Sequence, residues 1–185
     1  MLSSKRLFIG LGIPRSCTAA LLAANPHFSG LRWLPEEQLH LTLSFLGEVT
    51  APVEERLRHA LQTVRVPPFL LPLRGVGVFA SGGRVSVVWA GVGKGHPHLF
   101  VLHRRIQDAI LRAGLEAELK PFHPHVTIGR ARGISHEMLQ AFLRNHADTE
   151  FGIFQVTGFE LYSSVLGPEG ASHRLEMRQD FSGVQ

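Results

Sequence analysis

The chain has 185 residues, of which 44% are hydrophobic and 18% charged, with a formal net charge of +4. This composition excludes an intrinsically disordered chain, and the length suffices for one domain with a substantial core. The single cysteine, Cys17, excludes an intrachain disulfide and a cysteine-based zinc site and suits a reducing compartment. We expect that compartment to be the cytoplasm. Because no apolar run is long enough to span a bilayer, we also expect no membrane partner.

In the first half of the chain, the spacing of apolar residues predicts strands and helices joined by short links. The predicted elements are, in chain order, a strand at 7–13, a helix capped by Ser16 or Thr18 and stopped by Asn25-Pro26, an extended segment at 31–34, a strand at 39–46 closed by Gly47, and a helix that Pro52 opens and Pro67-Pro68 ends.

The second half continues the same alternation. It predicts strands at 69–79 and 84–90 around a hairpin loop at 81–83, a helix at 97–113, a strand at 122–130, a helix that starts at Ser135 with Met138, Leu139, Phe142 and Leu143 inward, and closing strands at 151–162 and 173–181 around a turn at 167–170. Strands mixed with helices and joined by hairpin-like links predict an α+β fold with largely antiparallel sheets.

One four-residue pattern occurs twice, as His-Leu-Thr-Leu at 40–43 and as His-Val-Thr-Ile at 125–128. Each copy lies in a predicted strand, where successive side chains point to opposite faces. Histidine and threonine therefore share one face of the strand, and the aliphatic residues point to the other. The copies are separated by about half the chain, and each signature strand is followed by a helix and two strands. This indicates two lobes that bring both signatures to one cleft.

Two such signatures suit chemistry on a small phosphate anion. Histidine gives or takes a proton near neutral pH, so a pair can activate water on one side of a phosphodiester and protonate the leaving oxygen on the other. Threonine hydroxyls can donate hydrogen bonds to the non-bridging oxygens. Arg130, five residues after His125, can add a bidentate contact to the same phosphate, and Phe45, five residues after His40, can stack on a base or pack in the core.

Other histidines offer an alternative. His96, His98 and His103 form a local cluster that could hold zinc, although no acidic residue or cysteine completes a known ligand pattern there. His123 precedes His125 by two residues, with Pro124 between them. His173 reaches the cleft or is an ordinary surface residue, and we expect the surface. We therefore predict no metal and no cofactor.

With these motifs in view, the chain resembles the RNA 2′,3′-cyclic phosphodiesterases of the 2H phosphoesterase superfamily, also called 2′-5′ RNA ligases. The resemblance rests on 31–49 and 122–130, which carry the two signatures, together with the opening residues 6–10 and the late segment 162–166. One departure is visible: we expect an aromatic residue such as tyrosine near the position of His173.

The resemblance implies a single domain at 1–185 made of two pseudo-twofold-related lobes, with sheets facing a central cleft and helices packed outside. It implies metal-independent hydrolysis of RNA 2′,3′-cyclic phosphate ends, or cyclic nucleotides, to 2′-phosphates by a monomeric cytoplasmic enzyme. The site residues that it implies are His40 as proton donor, His125 as proton acceptor, and Thr42, Thr127, Arg130 and Phe45 as substrate-binding residues.

Some alternatives stay open at this level. The two histidines look alike in the sequence, so the acid and base roles can be exchanged. The same residues could run the reverse 2′-5′ ligation by microscopic reversibility. A non-catalytic module that binds RNA ends and a histidine-based metal-dependent phosphoesterase are the remaining interpretations.

Overall fold

The computed structural model describes residues 4–94, 96–167 and 170–181. The helices are α1 (Arg15–Ala23), α2 (Ala51–Leu61), α3 (Pro97–Arg112) and α4 (His136–Asn145), and a 3₁₀ turn covers Glu36–Gln38. The strands are β1 (Ser4–Gly12), β2 (Leu31–Trp33), β3 (His40–Thr50), β4 (Phe69–Arg74), β5 (Val76–Ser81), β6 (Arg84–Gly91), β7 (His125–Ala131), β8 (Glu150–Val156), β9 (Gly158–Gly167) and β10 (Gly170–Asp180).

Within the described residues, eight strands form one antiparallel sheet in the order β10-β9-β1-β3-β7-β6-β5, with β2 paired to β7. The other two strands, β4 and β8, pair antiparallel in a second sheet. The strands that carry the two signatures, β3 and β7, are neighbours at the centre of the large sheet and meet at Leu41 and Val126. Strand pairing therefore brings the signatures together.

The elements repeat around this centre. β3 is followed by α2, β4 and the hairpin β5-β6, and β7 is followed by α4, β8 and the hairpin β9-β10. β1 flanks β3 as β6 flanks β7, and β4 pairs with β8 across the two halves. This two-lobed α+β arrangement with antiparallel sheets confirms the predicted fold class.

The packing of the hydrophobic core determines which face of each signature strand is accessible to solvent. Leu41 and Leu43 on β3, and Val126 and Ile128 on β7, are almost completely buried. They share one hydrophobic cluster with the inward residues of the helices, such as Leu57 on α2. Burying an aliphatic side chain of this size contributes about 1.5–3 kcal/mol. These anchors fix the strand register, so the signature histidines and threonines point away from the core and are half-buried.

Two predicted strands were too long, at equivalent places in the two halves. The segment 69–79 is broken at Gly75 into β4 and β5, and the segment 151–162 is broken at Thr157 into β8 and β9. Gly75 adopts φ +74°, and a Cβ there would lie 2.5 Å from the carbonyl oxygen of Ala147. In each half the chain passes at this break from the two-stranded sheet to the eight-stranded sheet. The pattern of apolar residues does not reveal the change, because it is the same in both sheets.

Other boundaries also differ from the prediction. β3 passes through Gly47 and ends at Thr50, because the register with β1 shifts beside Gly47 and lets the strand continue. β7 starts only at His125, so 122–124 is not strand. α1 begins at Arg15 without a side-chain cap, and α2 ends at Leu61.

Several local predictions are confirmed. The β5-β6 hairpin turns at Gly82-Gly83, both with positive φ, as a two-residue hairpin turn requires. Ser135 caps α4 by accepting a hydrogen bond from the Met138 N–H, but the Met138 side chain itself is 56% exposed rather than inward. Gly167 pairs with Gly170 at the ends of β9 and β10, and the other two residues of the predicted turn, Pro168 and Glu169, lie outside the described residues.

Candidate active site

A cavity of about 370 Å³ opens on the face of the large sheet that carries the signatures. All six residues predicted from the sequence line it: His40, Thr42, Phe45, His125, Thr127 and Arg130. The predicted histidine, threonine, arginine and phenylalanine side chains are therefore collected in one place.

The cavity lies where two antiparallel strands meet and then diverge. The pairing of Leu41 with Val126 is the contact between β3 and β7. His40 and Thr42 flank Leu41, and His125 and Thr127 flank Val126. The four signature side chains therefore all lie within one residue of this pairing.

The two imidazoles are held in the same way. Nδ1 of His40 lies 2.8 Å from the carbonyl oxygen of Gln38, and Nδ1 of His125 lies 2.6 Å from the carbonyl oxygen of His123. Because a carbonyl oxygen only accepts, Nδ1 carries the hydrogen in both rings. Nε2 is therefore the nitrogen that gains or loses a proton at each histidine. In each case the hydrogen bond, which clamps the ring, is made to the residue two positions earlier. For His40 this residue ends the 3₁₀ turn at Glu36–Gln38, and for His125 it precedes Pro124.

His40 is surrounded by rings and by nearby positive charge. Its ring centroid lies 4.8 Å from that of Phe8 and 5.0 Å from that of His173, which meets it edge-on at 85°. Burial is the main cause that lowers the pKa of His40 to about 4, and the charges of His173, Arg130 and His125 lower it further. The hydrogen bond to the Gln38 carbonyl acts in the opposite direction and raises the pKa. His40 is consequently neutral at neutral pH in the free protein.

His125 lies in a second aromatic setting. Its ring meets Phe79 edge-on at 4.9 Å and lies 6.2 Å from Trp89. Burial lowers the pKa of His125 below its usual value, and the neighbouring His123 lowers it further, while the hydrogen bond to the His123 carbonyl opposes the change. A neutral imidazole with its Nε2 lone pair available is the form that accepts a proton.

Arg130 and Phe45 occupy equivalent positions on the two signature strands. Arg130 is paired with Val87 on β6 and with Arg32 on β2, and Phe45 is paired with Phe8 on β1. Phe45 is 61% exposed, which is a large apolar surface left to solvent at the rim of a cavity. The same strand position thus provides a guanidinium in one half and an aromatic ring in the other.

The expectation that His173 is an ordinary surface residue is wrong. His173 is half-buried, lines the cavity and packs against His40 and Phe8. Its Nδ1 is buried, and none of the described residues gives it a hydrogen-bond partner. Burial and the charge of Arg130 lower its pKa. Only the pairing of β10 with β9, and of β9 with β1, brings this residue to the site.

The other histidines have local roles. His96 caps α3 by accepting a hydrogen bond from the His98 N–H, and its ring stacks on Phe69. His103 stacks on Phe122 at 4.0 Å. Among residues 4–94, 96–167 and 170–181, no three histidine, cysteine or acidic side chains are grouped to hold a metal ion. No helix in these ranges is long and apolar enough to cross a membrane.

Comparison with known proteins agrees with this geometry. The sequence model of the 2′-5′ RNA ligase superfamily matches residues 22–167. An RNA 2′,3′-cyclic phosphodiesterase of Aeropyrum pernix is 33% identical over 145 residues, which cover 78% of this chain and 82% of that protein. Another of the same name, from Archaeoglobus fulgidus, is 31% identical over 172 residues, covering 91% and 96%.

The fold of a solved structure agrees as well. The crystal structure of Escherichia coli LigT complexed with 3′-AMP superposes with a TM-score of 0.81 at 26% identity, covering 97% of this chain and 99% of that one.

The name shared by the relatives confirms the predicted class of enzyme, a phosphodiesterase of the hydrolase type. Because the superfamily model spans most of the sequence and such relatives align over most of their own length, the chain belongs to the 2′-5′ RNA ligase superfamily.

Proposed function

We propose that this protein hydrolyses the 2′,3′-cyclic phosphate at the end of an RNA to a 2′-phosphate, without a metal ion. The observation that carries the proposal is the pair of identically clamped histidines, each with Nε2 as its titrating nitrogen, in one cavity. Two lobes that each contribute one signature form the complete site. The relatives named RNA 2′,3′-cyclic phosphodiesterase support the choice of substrate.

The reaction is a displacement at phosphorus. His125 accepts a proton from water at Nε2 while the water oxygen forms a bond to phosphorus. The bond from phosphorus to O3′ breaks, and His40 donates its Nε2 proton to O3′. The product carries a 2′-phosphate and a 3′-hydroxyl, His40 is left neutral and His125 protonated. The next turnover requires that both protonation states be restored from solvent.

Thr42, Thr127 and Arg130 are assigned to the phosphate. Their hydroxyl and guanidinium groups donate hydrogen bonds to the non-bridging oxygens, where negative charge grows in the transition state. Stabilising that charge is the task that a metal ion would otherwise perform. Phe45, exposed at the rim, stacks on the terminal base.

Hydrolysis of 2′,3′-cyclic AMP by the variants His40→Ala and His125→Ala tests the assignment. Each should lose about 10²–10⁴-fold in kcat, the usual contribution of a general acid or base. His59→Ala is the matched control, because His59 is an exposed histidine on α2 that does not line the cavity. Retained activity in either cavity variant would contradict the mechanism. Wild-type protein that binds the cyclic end without changing it would indicate a binding module.

Two further readouts complete the test. Chromatographic identification of 2′-AMP rather than 3′-AMP shows that O3′ is the leaving oxygen. Full activity in a chelator is expected, and loss of activity there with rescue by zinc would favour the metal-dependent alternative.

The joining of two RNA ends through a 2′-5′ linkage is a second candidate, favoured by the name of the superfamily that the sequence matches. An RNA 5′-hydroxyl would replace water as the nucleophile, and the same histidines would exchange the same protons. Incubation with the two halves of a cleaved RNA hairpin, followed by measurement of joined and hydrolysed product, separates the two outcomes. Joining that persists in His125→Ala would contradict a shared mechanism.

A further inference from the structure

A basic groove of about 940 Å³ adjoins the cavity. We define it by Arg32, Ser86, Arg130 and Arg132, with Gly30 and Gly170 at its edges. Arg32 and Arg130 line both the groove and the cavity. The groove is therefore continuous with the proposed phosphate site, while Arg132 and Ser86 belong to the groove alone.

The sheet holds the arginines of the groove in place. Arg130 on β7 is directly opposite Arg32 on β2. Arg132 follows two residues later, and its backbone N–H donates to the carbonyl oxygen of Gly30 at 2.8 Å. A Cβ on Gly30 would lie 2.7 Å from the carbonyl oxygen of Arg132, so the two chain segments are in close contact there. Guanidinium groups on such a fixed backbone lose less freedom when they bind an anion.

The opposite side of the cavity has a different charge. A depression of about 500 Å³ adjoins the cavity there, and its lining contains three basic residues, Lys5, Arg6 and Arg174, and two acidic ones, Glu48 and Glu176. Glu176 is ion-paired with Lys5 at 2.9 Å. None of the described residues that line the basic groove is acidic. The groove is therefore more favourable for a polyanion than the depression, because its described lining carries only positive charge, whereas the depression carries both signs.

We propose that the basic groove binds the RNA chain on the 5′ side of the cyclic end, beginning with the phosphate that joins the terminal nucleoside to its neighbour. This inference rests on the proposed function. It adds to that function a binding site for the RNA chain beyond the terminal nucleotide, because a cyclic mononucleotide has no such phosphate and leaves Arg132 unused.

The test compares two substrates and two arginines. The substrates are 2′,3′-cyclic AMP and a short oligoribonucleotide with a 2′,3′-cyclic phosphate end. Arg132→Ala should lower kcat/KM for the oligoribonucleotide about three- to fivefold, the effect of losing one exposed charge contact, and leave hydrolysis of cyclic AMP unchanged. Arg174→Ala is the matched control, an exposed arginine in the opposite depression, and should leave both substrates unchanged.

Salt dependence gives a readout that fold damage does not mimic. Binding of an oligoribonucleotide that ends in a 2′-phosphate is measured by fluorescence anisotropy against salt concentration, so no turnover is needed. Loss of one phosphate contact should reduce the slope of log Kd against log salt by about 0.7 in Arg132→Ala. The Arg174→Ala slope should equal that of the wild type.

Several results would overturn the proposal. Equal loss on both substrates would mean that Arg132 affects the cavity itself. A larger effect of Arg174→Ala would mean that the RNA leaves through the depression. An unchanged salt slope in Arg132→Ala would mean that the groove binds no phosphate. Failure of the proposed function is distinguished from these, because it appears as wild-type protein that hydrolyses neither substrate while its oligoribonucleotide binding is still measurable.

Discussion

The binding of a tetrahedral anion should raise the pKa of His40 by several units. The ring is neutral in the empty cavity because burial and nearby positive charge lower its pKa to about 4. At that value only about one molecule in a thousand carries the protonated imidazole at pH 7. An acid of this kind would be useless at neutral pH unless substrate binding itself restores the proton.

The size of the change follows from Coulomb's law. A single negative charge about 4 Å from the imidazolium contributes about 4 kcal/mol at an effective dielectric constant of about 20. This corresponds to about three pKa units, which brings the pKa of His40 to about 7 in the complex. The same anion offsets the charge of Arg130, which lowers the pKa of His40 in the empty cavity.

The assay is an NMR titration of the histidine side chains, with His40 assigned from the spectrum of His40→Asn. Sulfate is the probe, because its charge does not change over the range studied. The pKa of His40 should be about 4 without sulfate and at or above about 7 with saturating sulfate, because sulfate carries two negative charges and the calculation uses one. A pKa of 6.5 or above in the empty site, or one that sulfate leaves unchanged, would refute the reasoning. A rise at His125 alone would exchange the acid and base roles.

The pH dependence of the kinetic parameters should show the same rise in the pKa of His40 when substrate binds. The pH dependence of kcat/KM reports the free enzyme, where protonated His40 is lost as pH rises through about 4. The pH dependence of kcat reports the complex, where the proton is retained to higher pH. The optimum of kcat should therefore lie at higher pH than that of kcat/KM, and coinciding optima would contradict the prediction.

Three other changes have definite expected outcomes. His173→Phe keeps a ring against His40 but removes a positive charge that lowers its pKa, so the kcat/KM profile should move to higher pH; an unmoved profile would mean that His173 only packs. Gly77→Ala places a Cβ against the ring of Trp89 and should cost about 1–3 kcal/mol of unfolding free energy, measured in denaturant; a loss below about 0.5 kcal/mol would contradict the packing. Because the folded-state pKa of His40 is lowered from 6.5 to about 4, its contribution to stability is present above pH 6.5 and falls by about 3 kcal/mol as pH drops towards 4; His40→Gln should unfold less steeply with acid, and an identical acid profile would exclude this source.

The local parts of the structure were predictable because short-range physics determines them. Strand parity alone puts histidine and threonine on one face and Leu41 and Val126 in the core, and the structure has this arrangement. The cap at Ser135 and the two-glycine turn at 82–83 also depend on a few neighbouring atoms. These features require no knowledge of which strand lies next to which.

The errors share a different cause. The breaks at Gly75 and Thr157 mark the points where the chain changes from one sheet to the other, and an apolar run looks the same in either sheet. His173 was expected at the surface because its place in the cavity depends on the order β10-β9-β1-β3, which links distant parts of the chain. Arg32 and Arg132 reach the cavity region only through the pairing of β2 with β7.

The surroundings of the two histidines provide an argument about their roles that the doubled signature cannot. Arg130 lines the cavity with both histidines, and its charge lowers the pKa of His40 and of His173. The charge that lowers the pKa of His125 comes instead from His123. An anion held by Arg130 therefore changes the field at His40 more than at His125. We therefore expect His40 to gain a proton when the phosphate binds and His125 to stay neutral, which would make His40 the acid and His125 the base.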